Sequence, residues 1–539
     1  MKLTNEGIRD KALWESKGYH LPAYDRAAMI EKTKAHPTWI HFGAGNIFRT
    51  LHAAAAQRML EQGDADTGLI VAEGFDYEII EKQYRPQDDL SVFVNLKSSG
   101  QVEKSVIGSI AESCILDSGR AEEFGRLREI FRNPSLQMAT FTITEKGYRL
   151  TDPAGKTPAD IASDYAEGPA APKSYLGKVA ALLYARFEAG QLPIAMVSTD
   201  NCSRNGEKLY AAMTAFADRW AENDKAPAGF ASYVKNPSRL SFPWSMIDKI
   251  TPRPDPSVQE MLLADGLEGV TPVETSKHTF IAPFVNAEET EYLVIEDSFP
   301  AGRPALEKAG FLFTDQETVG KVETMKVTTC LNPLHTSLAI YGCLLGYTKI
   351  SEEMKDEQLK NLILGVGYRE GLPVVVNPGV LDPKDFIDTV VGVRLPNPFM
   401  PDTPQRIACD TSQKLPIRFG ETVKKYRDRS ELSVGDLKLI PLVFAGWLRY
   451  LMAVDDEGNA FELSPDPLLE RVCPYVAGLK IGEVPEAAAL KEQVLPLLKD
   501  ETIFGCDLDA IGMADTVVAY FAELLAGKGA VRATLRKYC

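Results

Sequence analysis

TWIHFGAGNIFR, running from Thr38 to Arg49, decides how the chain begins to fold. An apolar run, Trp39-Ile40-His41-Phe42, passes into Gly43-Ala44-Gly45 and then into a helix-length stretch ending near Gln62. A G-x-G turn between a strand and a helix has a physical use. The first glycine allows the tight turn, and the second lets a pyrophosphate approach the backbone. The helix N-terminus adds free N–H groups and a partial positive charge. Gly43, Gly45, Asn46, Ile47, Phe48 and Arg49 are therefore the candidate cofactor-binding residues. The usual third glycine is missing and Phe48 lies close to its place, so the helix is expected to stand further from the strand there. A second apolar strand, Leu69-Ile70-Val71-Ala72, ends at Glu73. A carboxylate at that point accepts hydrogen bonds from the adenosine ribose hydroxyls, which favours NAD over NADP; Asp76 is the alternative reader.

Outward from this motif the texture is that of an α/β domain. Short β-rich runs at 38–45, 68–74, 91–96, 138–144 and 194–199 alternate with helix-length segments at 47–62, 121–131, 176–189 and 207–223. Such alternation predicts βαβ units and a mostly parallel sheet. After about residue 300 the strands thin out, and amphipathic segments follow at 317–347, 352–368, 405–426, 437–454, 487–499 and 514–537. EDSFPAGRP (296–304) breaks any regular element. The expected division is a Rossmann-type dinucleotide domain over 1–295 and a mostly α-helical substrate domain over 296–539.

Composition narrows the function. In 539 residues, 45% are hydrophobic and 25% charged, which is ordinary globular usage. Acidic residues outnumber basic ones by 75 to 59, giving a net charge of −16. A nucleic-acid partner is not expected of such a chain. The most lipid-like stretch, Ile440 to Leu448, stops at Arg449, far short of the ~18 apolar residues of a spanning helix. MKLTNEGIRDK at the start has no apolar core, so a soluble, cytoplasmic protein is expected, with no membrane partner. The eight cysteines are scattered without metal-like spacing; reduced thiols and no metal site are expected.

Three polar clusters stand where an α/β enzyme would use them. Ser198-Thr199-Asp200-Asn201 follows the strand IAMV, and strand C-termini of a parallel sheet face the ligand crevice. The Asn201 amide can donate to a substrate oxygen, or the cluster can simply cap the next helix. Lys326 precedes Asn332-Pro333-Leu334-His335; Asn332 and His335 are three apart and share a helix face. A lysine withdrawn from water can serve as a general acid/base. Arg406, Lys414 and Arg418 are four or eight apart around Asp410 and would line one helix face until Pro416 disturbs it. Such a face can hold a carboxylate or several hydroxyls.

In this order the pieces resemble the mannitol dehydrogenase family of long-chain polyol and sugar-acid dehydrogenases. They are GAGNIFR (43–49), TITEKGY (142–148), STDN (198–201), FPWSMIDKITP (242–252), VIEDSF (294–299), LNPLHT (331–336), RLPNPFMPD (394–402) and RIACDTSQKLPIR (406–418). The resemblance implies a Rossmann-type N-terminal domain, a mostly helical C-terminal domain, an active site between them, and NAD-dependent hydride transfer without a metal. It also implies a sugar acid or polyol as small-molecule partner. DTSQKLPIR is most similar to the branch that interconverts D-fructuronate and D-mannonate, with mannitol 2-dehydrogenase and tagaturonate reductase the nearest competitors. Carried over, Lys326 matches the acid/base, and Asn201 and Asn332 the pair that stabilises the alkoxide. His335, Asp248, Arg406 and Lys414 match substrate-positioning residues.

One spacing departs from the family. Lys326 and His335 are nine apart, one more than usual, and at ~100° per residue that sets them on opposite faces of a regular helix. Either a π-bulge absorbs the extra residue or Lys326 precedes the helix. With neither, Lys321 or no lysine at all fills the role, and in the latter case the chain would be an NAD(H)-binding sensor whose chemistry is impaired, the competing reading from outside the enzyme class.

Overall fold

The computed structural model describes all 539 residues. The chain forms two compact units, Met1–Lys97 with Gln101–Gly320, and Ser98–Gly100 with Lys321–Cys539. The first therefore runs past the expected division at 295/296, which falls inside a strand. Tyr292–Glu296 pairs antiparallel with Ser245–Asp248 and parallel with Leu312–Thr314, so ladder hydrogen bonds tie the chain as far as Thr314 to the first unit.

The main sheet of that unit is parallel throughout. Its strands are β1 (Trp39–Phe42), β2 (Leu69–Glu73), β3 (Ile110–Ile115), β4 (Met138–Phe141), β5 (Ile194–Ser198) and β6 (Leu240–Ser241), in the order β3-β2-β1-β4-β5-β6. This is the doubly wound dinucleotide-binding order, whose direction reverses between β1 and β4; ligands bind outside the strand C-termini there. The strands read as near-continuous apolar runs because both faces are covered. On one face Ile40, Phe42, Ile70 and Ala72 pack with apolar residues of α2 (Ala121–Arg132), α3 (Tyr175–Glu188) and α4 (Asn205–Glu222). On the other, Trp39, Leu69 and Val71 pack with Phe48, Leu51 and Met59. The run 91–96 does form a strand but outside this sheet; it pairs with Val102–Ile107 and Phe284–Glu288.

The missing third glycine has a structural answer. Phe48–His52 form a π turn that widens the start of α1 (Ala53–Gln62). The wider turn seats the fully buried Phe48 ring on His41, with centroids 4.5 Å apart. His41 and His52 are both buried. Burial drives the pKa of His52 down to about 3 and that of His41 well below its ordinary value.

Both imidazoles are thus neutral in the folded chain, whereas in the unfolded chain they protonate near pH 6.5. Their contribution to stability is complete above pH 6.5 and is lost as pH falls toward the folded values, at up to about 1.4 kcal/mol per pH unit for each. Thermal unfolding between pH 7.5 and 5 should show Tm dropping steeply below 6.5. His52→Gln, which cannot protonate, should drop less steeply; parallel curves would contradict this account.

The second unit is helical. Gln316–Met325 leads into a π turn, Lys326–Cys330, followed by α5 (Asn332–Leu344). Its central helix, α6 (Leu439–Tyr450), is buried at every position and packs against α5 and α7 (Ala514–Leu524). The charge that ends the apolar run is satisfied inside the fold: Arg449 donates to the carbonyls of Leu524, Val454 and Asp455. No helix is long and apolar enough to cross a membrane. All eight cysteines are free thiols.

Candidate active site

The glycine turn opens on a cavity of about 490 Å³ beside the switch point, lined by Gly43, Gly45, Asp76, Thr142, Thr144 and Tyr175 among others. Gly43 has φ +109°, and a Cβ there would lie 2.3 Å from the Thr142 carbonyl oxygen. Gly45 has open space where a Cβ would point, leaving the backbone free to be approached. A dinucleotide's pyrophosphate fits such a cradle.

Several neighbours have other work than was expected of them. Phe48 faces the core. Arg49 is also buried, donating to Ser91 Oγ (3.0 Å), the Ala282 carbonyl (2.8 Å) and Asn46 Oδ1 (2.8 Å). Asn46 Nδ2 in turn donates to the Pro252 carbonyl at 3.3 Å. Ile47 is half-buried against the core. These side chains brace the turn rather than face the cavity.

Glu73, expected to read the ribose, also lines the cavity, and its carboxylate accepts from backbone N–H groups. Ala44 donates to Oε2 at 2.8 Å; Phe75 and Asp76 donate to Oε1 at 2.7 and 3.1 Å. Burial raises its pKa, and these three donors oppose the rise. Asp76 keeps an acceptor in reserve: Oδ2 takes the Thr275 hydroxyl at 2.6 Å, while the buried Oδ1 has no protein partner.

The Asn201 loop follows β5 on the same side of the sheet. It does not cap the next helix, since α4 starts at Asn205 after a left-handed Arg204 and without a side-chain cap. Asn205 joins this loop to the strand ending at Asp248. Its Nδ2 donates to the Asp200 and Ser245 carbonyls, each at 3.0 Å, and its Oδ1 accepts from Ser245 N at 2.9 Å. Asn201 and Asp248 thus sit on elements fixed to each other.

In the second unit the extra residue is absorbed. Leu331 N–H reaches back to the Lys326 carbonyl at 3.1 Å, an i→i−5 bond, and regular helix resumes at Asn332. With one residue taken up, Lys326 and His335 are effectively eight apart, or ~80° around the axis. Pro333 falls in the first turn of α5, where its missing N–H breaks no ladder bond. Lys326 is buried, 5% exposed.

The basic cluster is not one helix face. Asp410 is left-handed at φ +54° and separates Pro404–Ile407 from Thr411–Leu415, so Arg406 and Lys414 sit on different helices. Ser412 N–H, held by the Asp466 carboxylate at 2.8 Å, starts the second of them. Lys414 donates to the carbonyls of Cys409 and Ile407. Arg418 lies on another π turn, Pro416–Gly420, packed on the Lys326 turn. It donates to Thr336 Oγ1 at 2.5 Å, one residue beyond His335.

His335 is the centre of this region. Its Nε2 is 3.6 Å from the Asp402 carboxylate, which also holds Arg406. Burial pulls the imidazole pKa down to about 4; Asp402 resists, while Arg394, Arg418 and Arg406 add to the fall. The ring is neutral at physiological pH, with the Asp402 carboxylate beside its Nε2. Asp402 lies in RLPNPFMPD, a stretch that the sequence reading quoted without singling this residue out. No group of three or more His, Cys, Asp or Glu is placed to hold a metal ion.

Comparison with known proteins identifies relatives of the whole chain. A sequence model of the mannitol dehydrogenase Rossmann domain matches residues 37–308, and one of the mannitol dehydrogenase C-terminal domain matches 318–525. The chain is 51% identical over 539 residues to D-mannonate oxidoreductase of Thermotoga maritima, covering 100% of this chain and 99% of that protein. Among solved structures, a mannitol 2-dehydrogenase of Pseudomonas fluorescens, in ternary complex with NAD and D-mannitol, is 26% identical, covers 100% of this chain and 99% of that one, and superposes with a TM-score of 0.66. A substrate-free D-sorbitol dehydrogenase, 23% identical over 96% of this chain and 97% of that one, shares the fold with a TM-score of 0.79.

Proposed function

The chain belongs to the mannitol dehydrogenase family of oxidoreductases, and on that premise we propose that it interconverts D-fructuronate and D-mannonate with NAD. The observation that carries the choice of a sugar acid is the Arg418 guanidinium. In a chain of net charge −16, this side chain is half-buried next to His335 with a hydroxyl and no carboxylate as its partner. A desolvated carboxylate needs a cationic partner, whereas a neutral ketose does not. Arg406 is engaged by Asp402 and Lys414 by carbonyls. Arg418 donates to a hydroxyl rather than an acid, and burial lowers its pKa to about 10. It is the cation best placed to gain from an incoming carboxylate. The full-length likeness to a D-mannonate oxidoreductase supports the same choice.

The dinucleotide fits the Gly43–Gly45 cradle, with the unpartnered Asp76 Oδ1 as acceptor for a ribose hydroxyl in place of Glu73. When bound, it supplies the hydride in reduction and takes it in oxidation. The remaining work belongs to side chains. Asn201 and Asn332 donate to the substrate oxygen as it becomes an alkoxide. Lys326 transfers a proton to that oxygen and recovers one from solvent; in oxidation it removes the proton. Neutral His335, backed by Asp402, orients a substrate hydroxyl, while Asp248, Arg406, Lys414 and Arg418 hold the rest of the chain. The wider turn at Lys326–Cys330 supports the catalytic reading of Lys326 over that of a chemically silent NAD(H) sensor.

The test is NADH consumption with fructuronate, tagaturonate and fructose at equal concentration. Fructuronate should be strongly preferred; preference for fructose would overturn the reading. Arg418→Met should lower kcat/KM for fructuronate ~10–100-fold, the worth of one charge-assisted contact, and leave any fructose activity nearly unchanged. An equal loss on both would mean that Arg418 shapes the fold instead of reading the carboxylate.

A further inference from the structure

The residues leading into Asn201 are fixed one after another. Ser198 Oγ meets Tyr148 Oη at 2.7 Å. Thr199 Oγ1 donates to the Phe141 carbonyl at 2.8 Å and lies 3.0 Å from His52 Nε2. The Asp200 carboxylate reaches sideways to another strand end. It accepts from Ile143 N (2.9 Å) and Tyr148 Oη (2.6 Å) on Oδ2, and from Thr144 N (2.8 Å) on Oδ1.

The segment it grips is part of the cofactor cavity, which Thr142, Ile143, Thr144, Lys146 and Gly147 all line. Thr144 is held at φ +64°, ψ 159°, a region that a β-branched residue avoids unless its surroundings impose it. The Asp200–Thr144 bond is a direct means of imposing it. One buried carboxylate therefore fixes the far wall of the cavity, and its own main chain continues into the carboxamide assigned to the substrate oxygen.

We propose that Asp200 is a positioning residue of the reaction, setting the 142–147 wall and Asn201 in register through its bonds to Ile143, Thr144 and Tyr148. Its partners suit that task, because two backbone N–H groups and a phenol fix the carboxylate in three directions. Tyr148 is the auxiliary member, joining Asp200 to Ser198 at the end of β5. The inference rests on the reading of Asn201 given above.

The experiment compares Asp200→Asn, Tyr148→Phe and Asn201→Ala in the full chain. The readouts are kcat per NADH-binding site, NADH affinity, Tm, and the isotope effect with NADH deuterated at C4. Asn at 200 cannot accept from both N–H groups and the phenol. Its kcat per site should fall about tenfold or more with a larger isotope effect, while NADH affinity changes by no more than about threefold. Phe at 148 keeps both backbone bonds and should lose about two- to fivefold. A merely structural role would lower Tm and the number of binding sites but leave kcat per site and the isotope effect as they were; that result overturns the proposal. Should the 200 variant not fold, unchanged kcat and isotope effect in Tyr148→Phe overturn it. Asn201→Ala separates the two levels. If it is impaired while Asp200→Asn is normal, only the positioning inference falls. If it retains full turnover, the assignment of Asn201 falls and the positioning inference with it.

Discussion

Lys326→Met should cut kcat by about 10²–10⁴-fold in both directions, the usual worth of a positioned acid/base group, while NADH still binds. Met keeps the length and most of the volume of the lysine stem, so the buried site stays filled and the π turn keeps its shape. What disappears is the proton. In reduction, negative charge develops on the substrate oxygen and has no adjacent donor to resolve it. In oxidation, the hydroxyl proton has no local acceptor. NADH fluorescence titration with unchanged affinity, together with a near-wild-type near-UV circular dichroism spectrum, separates this loss from misfolding. Lys326→Ala should lose as much and recover part of it with a small primary amine in the buffer, because the vacated space admits one. Turnover within a few-fold of wild type in the Met variant would remove Lys326 from the mechanism.

That prediction depends on a feature only partly legible in the sequence. The odd spacing between Lys326 and His335 announces that something must give, and a π-bulge is one of the two ways it can. Choosing between them requires the tertiary partner, here the π turn at Pro416–Gly420 against which the Lys326 turn packs. The same holds at Phe48, where the absent glycine signals a displaced helix but not the π turn that displaces it. The main sheet was readable because burial on both faces leaves uninterrupted apolar runs. The run 91–96 has the same texture but pairs elsewhere, since periodicity carries no information about a strand's neighbours.

Side-chain roles were the least legible. Glu73 has the position of a ribose reader, yet three nearby N–H groups claim it, and backbone donors leave no trace in a sequence. Arg406 and Lys414 have helical spacing, but the left-handed Asp410 between them cancels the shared face. Asp402 lies close to Arg406 in the sequence, but its second partner is His335, which reaches this loop residue from α5.

The two carboxamides should be unequal, and the inequality tests how the alkoxide is stabilised. Loss of one donor to a developing oxyanion commonly costs ~10²–10³ in kcat. Asn332 is the first residue of α5, a helix of 13 residues. The positive end of that helix remains when the side chain is removed and continues to favour negative charge nearby. Asn201 lies in the loop four residues ahead of α4, outside the first turn within which a helix dipole acts. Asn201→Ala should therefore lose close to ~10³ and Asn332→Ala nearer ~10², with KM changing much less than kcat in each case, since the charge they meet exists only in the transition state. In the double variant the losses should combine to less than their product if both donors serve one oxygen, because the first loss already leaves that oxygen poorly stabilised and slows the step by another route. Strictly multiplicative losses would place the two amides on different substrate atoms. Asn332 would then be a substrate-orienting group like His335, three residues along the same helix face, and Asn201 alone would face the reacting oxygen.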